Sequence, residues 1–87
     1  MKTTPYFDTV VQENHPEFEL EWVERVLANP VKTEVQANGR ISYLGNIPEF
    51  GGRALRVVTE SDGETVHNAY FDRNFFKRQQ KGQEPIA

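Results

Sequence analysis

Cysteine is absent from the 87-residue chain, which removes disulfide frameworks, thiolate zinc sites and cysteine nucleophiles together. Histidine is nearly absent: His15 and His67 lie on separate elements with no carboxylate spacing between them, and this is no metal motif. No apolar run approaches the ~18 residues that a membrane helix needs. Met1–Pro5 is not followed by the apolar core of a signal peptide, so the expectation is a cytoplasmic protein with no membrane contact, no metal and no other cofactor. Phosphate loops, nucleophile elbows and kinase signatures are also missing, and Gly51-Gly52 lacks the strand–loop–helix context of a phosphate cradle.

What is there suits one small folded unit. Aromatic residues make up 11% of a chain whose net charge is only -3, which argues against disorder. Residues 1–82 read as a single domain and 83–87 as a flexible tail. Charge is unevenly spread: residues 1–39 hold three basic and seven acidic side chains, whereas residues 40–81 hold seven basic and five acidic ones. An acidic whole argues against wrapping long nucleic acid but leaves room for a local basic surface.

Thr4-Pro5-Tyr6-Phe7 has the form of a helix start, with threonine as N-cap and proline at the first helical position. A strand over Tyr6–Val11 is the competing reading, and His15-Pro16 ends the segment either way. Leu20, Val23 and Leu27, flanked by Trp22 and Val26, predict a second helix that Asn29-Pro30 stops. The period then changes to alternation. Val31–Ala37 and Arg40–Asn46 flank the turn dipeptide Asn38-Gly39, and Arg53–Glu60 and Glu64–Phe71 flank Asp62-Gly63. Asp72 can cap a last helix over 73–81, which carries cations at its C-terminal end with Gly82 just beyond. The order predicts an α+β fold in which two N-terminal helices pack on one face of a four-stranded antiparallel meander, followed by a short C-terminal helix.

A two-residue loop at Asp62-Gly63 would set Leu55 opposite Tyr70, Arg56 opposite Ala69, Val58 opposite His67 and Arg53 opposite Asp72. His67 and Arg56 would then be diagonal neighbours on one face. An imidazole that moves a proton beside a guanidinium that grips phosphate is the pairing RNA cleavage needs; the plainer reading is that His67 hydrogen-bonds within the sheet. Tyr43 and Tyr70 are candidates for stacking bases. Arg53 would close the hairpin with Asp72, or grip a phosphate together with Arg73. Arg73, Lys77, Arg78 and Lys81 give the last helix a positive stripe suited to RNA or to an acidic partner.

The stretches His15-Pro16 through Asn29-Pro30, Gly39-Arg40-Ile41-Ser42-Tyr43-Leu44-Gly45, Arg53-Ala54-Leu55-Arg56-Val57-Val58 and Val66-His67-Asn68-Ala69-Tyr70-Phe71-Asp72-Arg73 resemble a group of small bacterial proteins close to the BrnT/RelE-like toxins of type II toxin–antitoxin systems. The resemblance implies a RelE-like toxin fold and metal-independent cleavage of messenger RNA by general acid–base chemistry. It also implies a cognate antitoxin that covers the active surface, with RNA or the ribosome as the other partner. Matched onto this chain, it points to His67, Arg56 and Arg40 as catalytic candidates, with Tyr43, Tyr70, Arg53 and Arg73 holding substrate.

The alternative, from a different class and motivated by the acidic balance, is a non-catalytic module that docks a protein partner through its sheet face or its basic C-terminal helix. Exposed sheet edges also offer a route to a homo-oligomer.

Overall fold

The computed structural model describes residues 2–11 and 20–86, so the expectations placed on His15 and Pro16 lie outside the described residues. Strand β1 (Lys2–Thr3) is followed by Thr4, whose hydroxyl accepts from the Phe7 amide at 3.2 Å and caps the turn that continues as a π-helical stretch over Phe7–Val11. The other elements are helix α1 (Leu20–Ala28), strands β2 (Lys32–Val35), β3 (Ile41–Ile47), β4 (Arg53–Thr59) and β5 (Thr65–Phe71), and helix α2 (Arg73–Gln80). A 3-10 turn over Pro48–Phe50 links β3 to β4.

The fold is α+β, but the predicted arrangement is corrected. Among the described residues the sheet has five strands in the order β1-β5-β4-β3-β2 and is mixed, because β1 runs parallel to β5 at one edge. Nor is there the predicted layer of two N-terminal helices: ahead of α1 the described residues hold only the short π-helical stretch over Phe7–Val11, and the C-terminal helix covers the side of the sheet that α1 leaves. Side chains of opposed residues point to the same side of a sheet and successive ones alternate, and the two sides are covered by different helices. On one side Trp22, Val23 and Val26 of α1, together with Phe7, pack on Ile47, Leu55, Val57, Val66 and Ala69. On the other, Phe75 of α2 seats against Leu44 and Ala54. The apolar stripe of α1 is rotated from the predicted one, since Trp22 is buried and Leu20 is 44% exposed. Among the described residues no helix is long and apolar enough to cross a membrane.

Both hairpin loops are longer than two residues. Gln36 and Arg40 pair across Ala37-Asn38-Gly39, with only Gly39 at positive φ, so this loop is a turn closed by one left-handed residue. In the second loop the Glu60 amide donates to the Thr65 carbonyl at 2.8 Å, and Asp62 accepts from the Glu64 and Thr65 amides, each at 2.9 Å. Thr59 lies opposite Val66, as predicted, but the register shifts by one between Val58 and Thr59. His67 is the extra residue of this β-bulge. Beyond it Val58 faces Asn68, Val57 faces Ala69, Arg56 faces Tyr70 and Leu55 faces Phe71.

The segment 83–86, expected to fray, is anchored. Glu84 meets Lys32 at 2.9 Å and Arg78 at 3.0 Å, and the Pro85 carbonyl accepts from Gln79 at 2.6 Å.

Candidate functional site

The bulge separates the residues expected to act together. Arg56, opposite Tyr70, lies on the α2 side, where Nε and Nη2 reach one oxygen of Asp72 at 2.9 and 2.8 Å and Nη1 donates to the Ser42 hydroxyl. The second Asp72 oxygen accepts from the Phe75 amide at 2.9 Å and so caps α2. Burial pulls the Asp72 carboxyl upward, but the Phe75 amide and the Arg56 guanidinium outweigh it and hold it below its ordinary value. Burial pushes the Tyr70 phenol up. Arg56 is therefore committed to two partners inside the fold, and its side chain is 13% exposed.

His67 has different company. Its Nδ1 lies 3.3 Å from the Glu60 carboxylate and 3.4 Å from the Thr4 hydroxyl, and its ring stacks on Tyr6 with centroids 5.0 Å apart. Arg40 approaches the same Glu60 carboxylate at 3.5 Å. The structure thus brings His67 and Arg40 to one acid, and Arg56 and Tyr70 to one row of the sheet, but the two groups share no partner among the described residues. The cluster around Glu60 ties the N-terminal segment to the β4–β5 hairpin. Tyr43 lies in the row adjacent to Tyr70 and on the opposite side, packed against the α1 core, so the two tyrosines form no common stacking platform.

Arg53 and Arg73 do converge. The predicted pairing of Arg53 with Asp72 is replaced by the Arg56–Asp72 contact, and the Arg53 guanidinium instead lies 5.4 Å from the Phe50 ring centroid. Arg53, Arg73 and Lys77 all line an open groove of about 280 Å³ whose remaining lining comes from Ala54, Phe71, Asp72, Phe76 and Gln80. The reason is local. Arg53 opens β4, Asp72 turns the chain straight from β5 into α2, and Arg73 and Lys77 lie four residues apart on one face of that helix.

An inventory of charge pairs sets this groove apart. Among the described residues Lys2, Arg25, Lys32, Arg40, Arg56 and Arg78 each lie within 4.0 Å of a carboxylate. Arg53, Arg73, Lys77 and Lys81 have no carboxylate partner there, and three of those four line the groove. Its one acid, Asp72, is already occupied by Arg56 and the α2 cap. The groove therefore presents uncompensated positive charge over a partly apolar surface, on a chain whose net charge is -3. The sequence placed Arg53 and Arg73 among the substrate-holding residues and Lys77 on the positive stripe of the last helix, whereas the lining by Phe71 and Phe76 was not expected. The spacing of Arg73, Phe76 and Lys77, directly after a strand end, is the signal that could have shown it.

Among the described residues no group of three or more histidines and carboxylates stands close enough to hold a metal ion. No family model matches the chain, and neither a curated protein nor a solved structure matches it.

Proposed function

We propose that the chain is a binding module that docks an acidic segment of a protein partner in the groove between the start of β4 and α2. The observation that supports this reading is the convergence of Arg53, Arg73 and Lys77, which leaves carboxylate-free cations beside apolar side chains. Guanidinium groups pair with carboxylates through two parallel hydrogen bonds, so a groove with two of them favours an anion presented at a defined place. The nuclease reading requires His67 and Arg56 to meet at one phosphate. Their separate partners favour docking over cleavage.

The test is binding of a dye-labelled, glutamate-rich peptide at low salt, followed by anisotropy. Arg53→Glu and Lys77→Glu should each weaken binding at least roughly tenfold, while Lys81→Glu, the same charge change outside the groove, should leave it nearly unchanged. Affinity should fall as salt rises. Equal losses in all three variants would reduce the effect to net charge and overturn the reading. So would metal-independent RNA cleavage that disappears in both His67→Ala and Arg56→Ala.

A further inference from the structure

We infer that the acidic segment bound in this groove carries an aromatic or large aliphatic side chain flanked by carboxylates, a partner chemistry that rests on the docking reading above. The groove is not a bare cationic surface. Phe71 and Phe76, both half-buried, contribute apolar walls between Arg53 on the strand side and Arg73 and Lys77 on the helix side. Carboxylates alone would satisfy the rim and leave those walls wetted, whereas an apolar side chain placed between two acids would cover the walls and bring both charges to the cations. Burial of that side chain supplies a driving force that salt does not screen.

The size of the cavity points the same way. At about 280 Å³ it falls at or below the range of sites that enclose a whole small molecule, and it is open to solvent. One anchoring side chain with its neighbours suits it better. Single-stranded RNA, the competing polyanion, is held by successive bases on exposed aromatic platforms along a continuous cationic track. Here the cations cluster at one end of the sheet, Tyr43 and Tyr70 lie on opposite sides of it, and the rest of the chain carries an excess of acidic residues. A short acidic segment meets the groove without running along that acidic surface.

The experiment compares three dye-labelled probes on the full chain: a glutamate-rich peptide with one central phenylalanine, the same peptide with alanine there, and a single-stranded RNA of similar length. The phenylalanine peptide should bind roughly tenfold more tightly than its alanine counterpart, and that ratio should persist as salt rises even while both affinities fall. Lys77→Glu should weaken both peptides, and Phe76→Ala should shrink the ratio between them. Circular dichroism separates any unfolding of Phe76→Ala from loss of the anchor, and Gln80→Trp, which fills the groove from the exposed end of α2, provides a second variant that should reduce the ratio. If the two peptides bind equally and Lys77→Glu weakens both, the anchor is wrong and the docking reading stands. If neither peptide binds, both fall, and RNA binding sensitive to Lys77→Glu would assign the groove to nucleic acid instead.

Discussion

Asp72 carries two structural duties on two oxygens, and they can be separated by substitution. Asparagine caps a helix about as well as aspartate, so Asp72→Asn keeps the bond to the Phe75 amide and loses the charge facing Arg56. It should cost about 1.5–3 kcal/mol, the range for hydrogen bonds to charged groups. Asp72→Ala should cost roughly 1 kcal/mol more, because the cap is lost as well. Urea unfolding of the two variants measures both numbers. The sign with pH follows from the direction of the shift: a carboxyl held below its ordinary value of 3.8 stabilises the fold fully above that value and stops doing so as pH falls through its lowered one. The gap between the parent and Asp72→Asn should therefore close in acid, and a gap that stays constant to low pH would remove the Arg56 pairing from the account. The capping role of Asp72 was legible in the sequence, because an aspartate directly before a helical run has one obvious use. Its partner was not. A uniform register handed Asp72 to Arg53, and the extra residue at His67 handed it to Arg56.

That bulge is the main reason a face-by-face reading of the hairpin went astray. Strand alternation assumes one residue per step, yet Val66 and Ala69, three apart, are both fully buried on the α1 side. An odd spacing between two inward positions is the trace a bulge leaves in a sequence, and here two polar residues, His67 and Asn68, fill the gap. The sheet edge at β1 left no comparable trace, since two residues, Lys2 and Thr3, are too few to show a period. Helix α1 was legible as an element and misread in rotation, and Gly45 explains how closely it lies on β3. A Cβ built at Gly45 would stand 3.0 Å from Cγ2 and 3.4 Å from Cγ1 of Val26. Gly45→Ala should therefore destabilise the protein by about 1–3 kcal/mol, the usual cost of overpacking, despite alanine's smaller backbone entropy loss. Val26→Ala removes the obstructing methyls, at its own cost in buried apolar contact. The double variant should be more stable than the sum of the two losses allows, with a coupling of at least ~0.5 kcal/mol in a denaturation cycle. Strict additivity would mean that the helix simply moves away.

At the scale of the whole molecule the two sides of the sheet are held by different physics. The α1 side is an apolar core with many large side chains, whereas the α2 side has a small one, with Phe75 seated on Leu44 and Ala54. Polar anchors at the two ends of α2 make up the difference. At its start Asp72 binds Arg56. At its end Gln79 and Asn46 exchange amide hydrogen bonds at 2.8 Å in both directions, and Asn46 also donates to the Gly52 carbonyl at 2.8 Å. The chain beyond the helix then returns over this end, where Glu84 bridges Lys32 of the edge strand and Arg78 of the helix. Lys32 first, and then Arg78, hold the Glu84 carboxyl below its ordinary value despite the opposing effect of desolvation. The composition of 83–87 suggested a loose end because its few polar residues and one proline show no period. Its role comes from where the preceding helix delivers it, which is a long-range property. Removing residues 83–87 should loosen the last turn of α2 and strand β2 while leaving β4 and β5 as protected as before. The Gln79 to Pro85 bond alone, worth about 1 kcal/mol, corresponds to roughly fivefold in the local opening equilibrium. Amide hydrogen exchange on the truncated chain reads this directly: faster exchange confined to α2 and β2 is the expected result, and uniform acceleration across the sheet would mean that the tail supports global stability instead. The groove runs along α2 from Arg73 to Gln80 but takes none of its lining from 83–87, so the glutamate-rich peptide should still bind the truncated chain, with affinity reduced only as far as Lys77 and Gln80 share in the fraying of the helix.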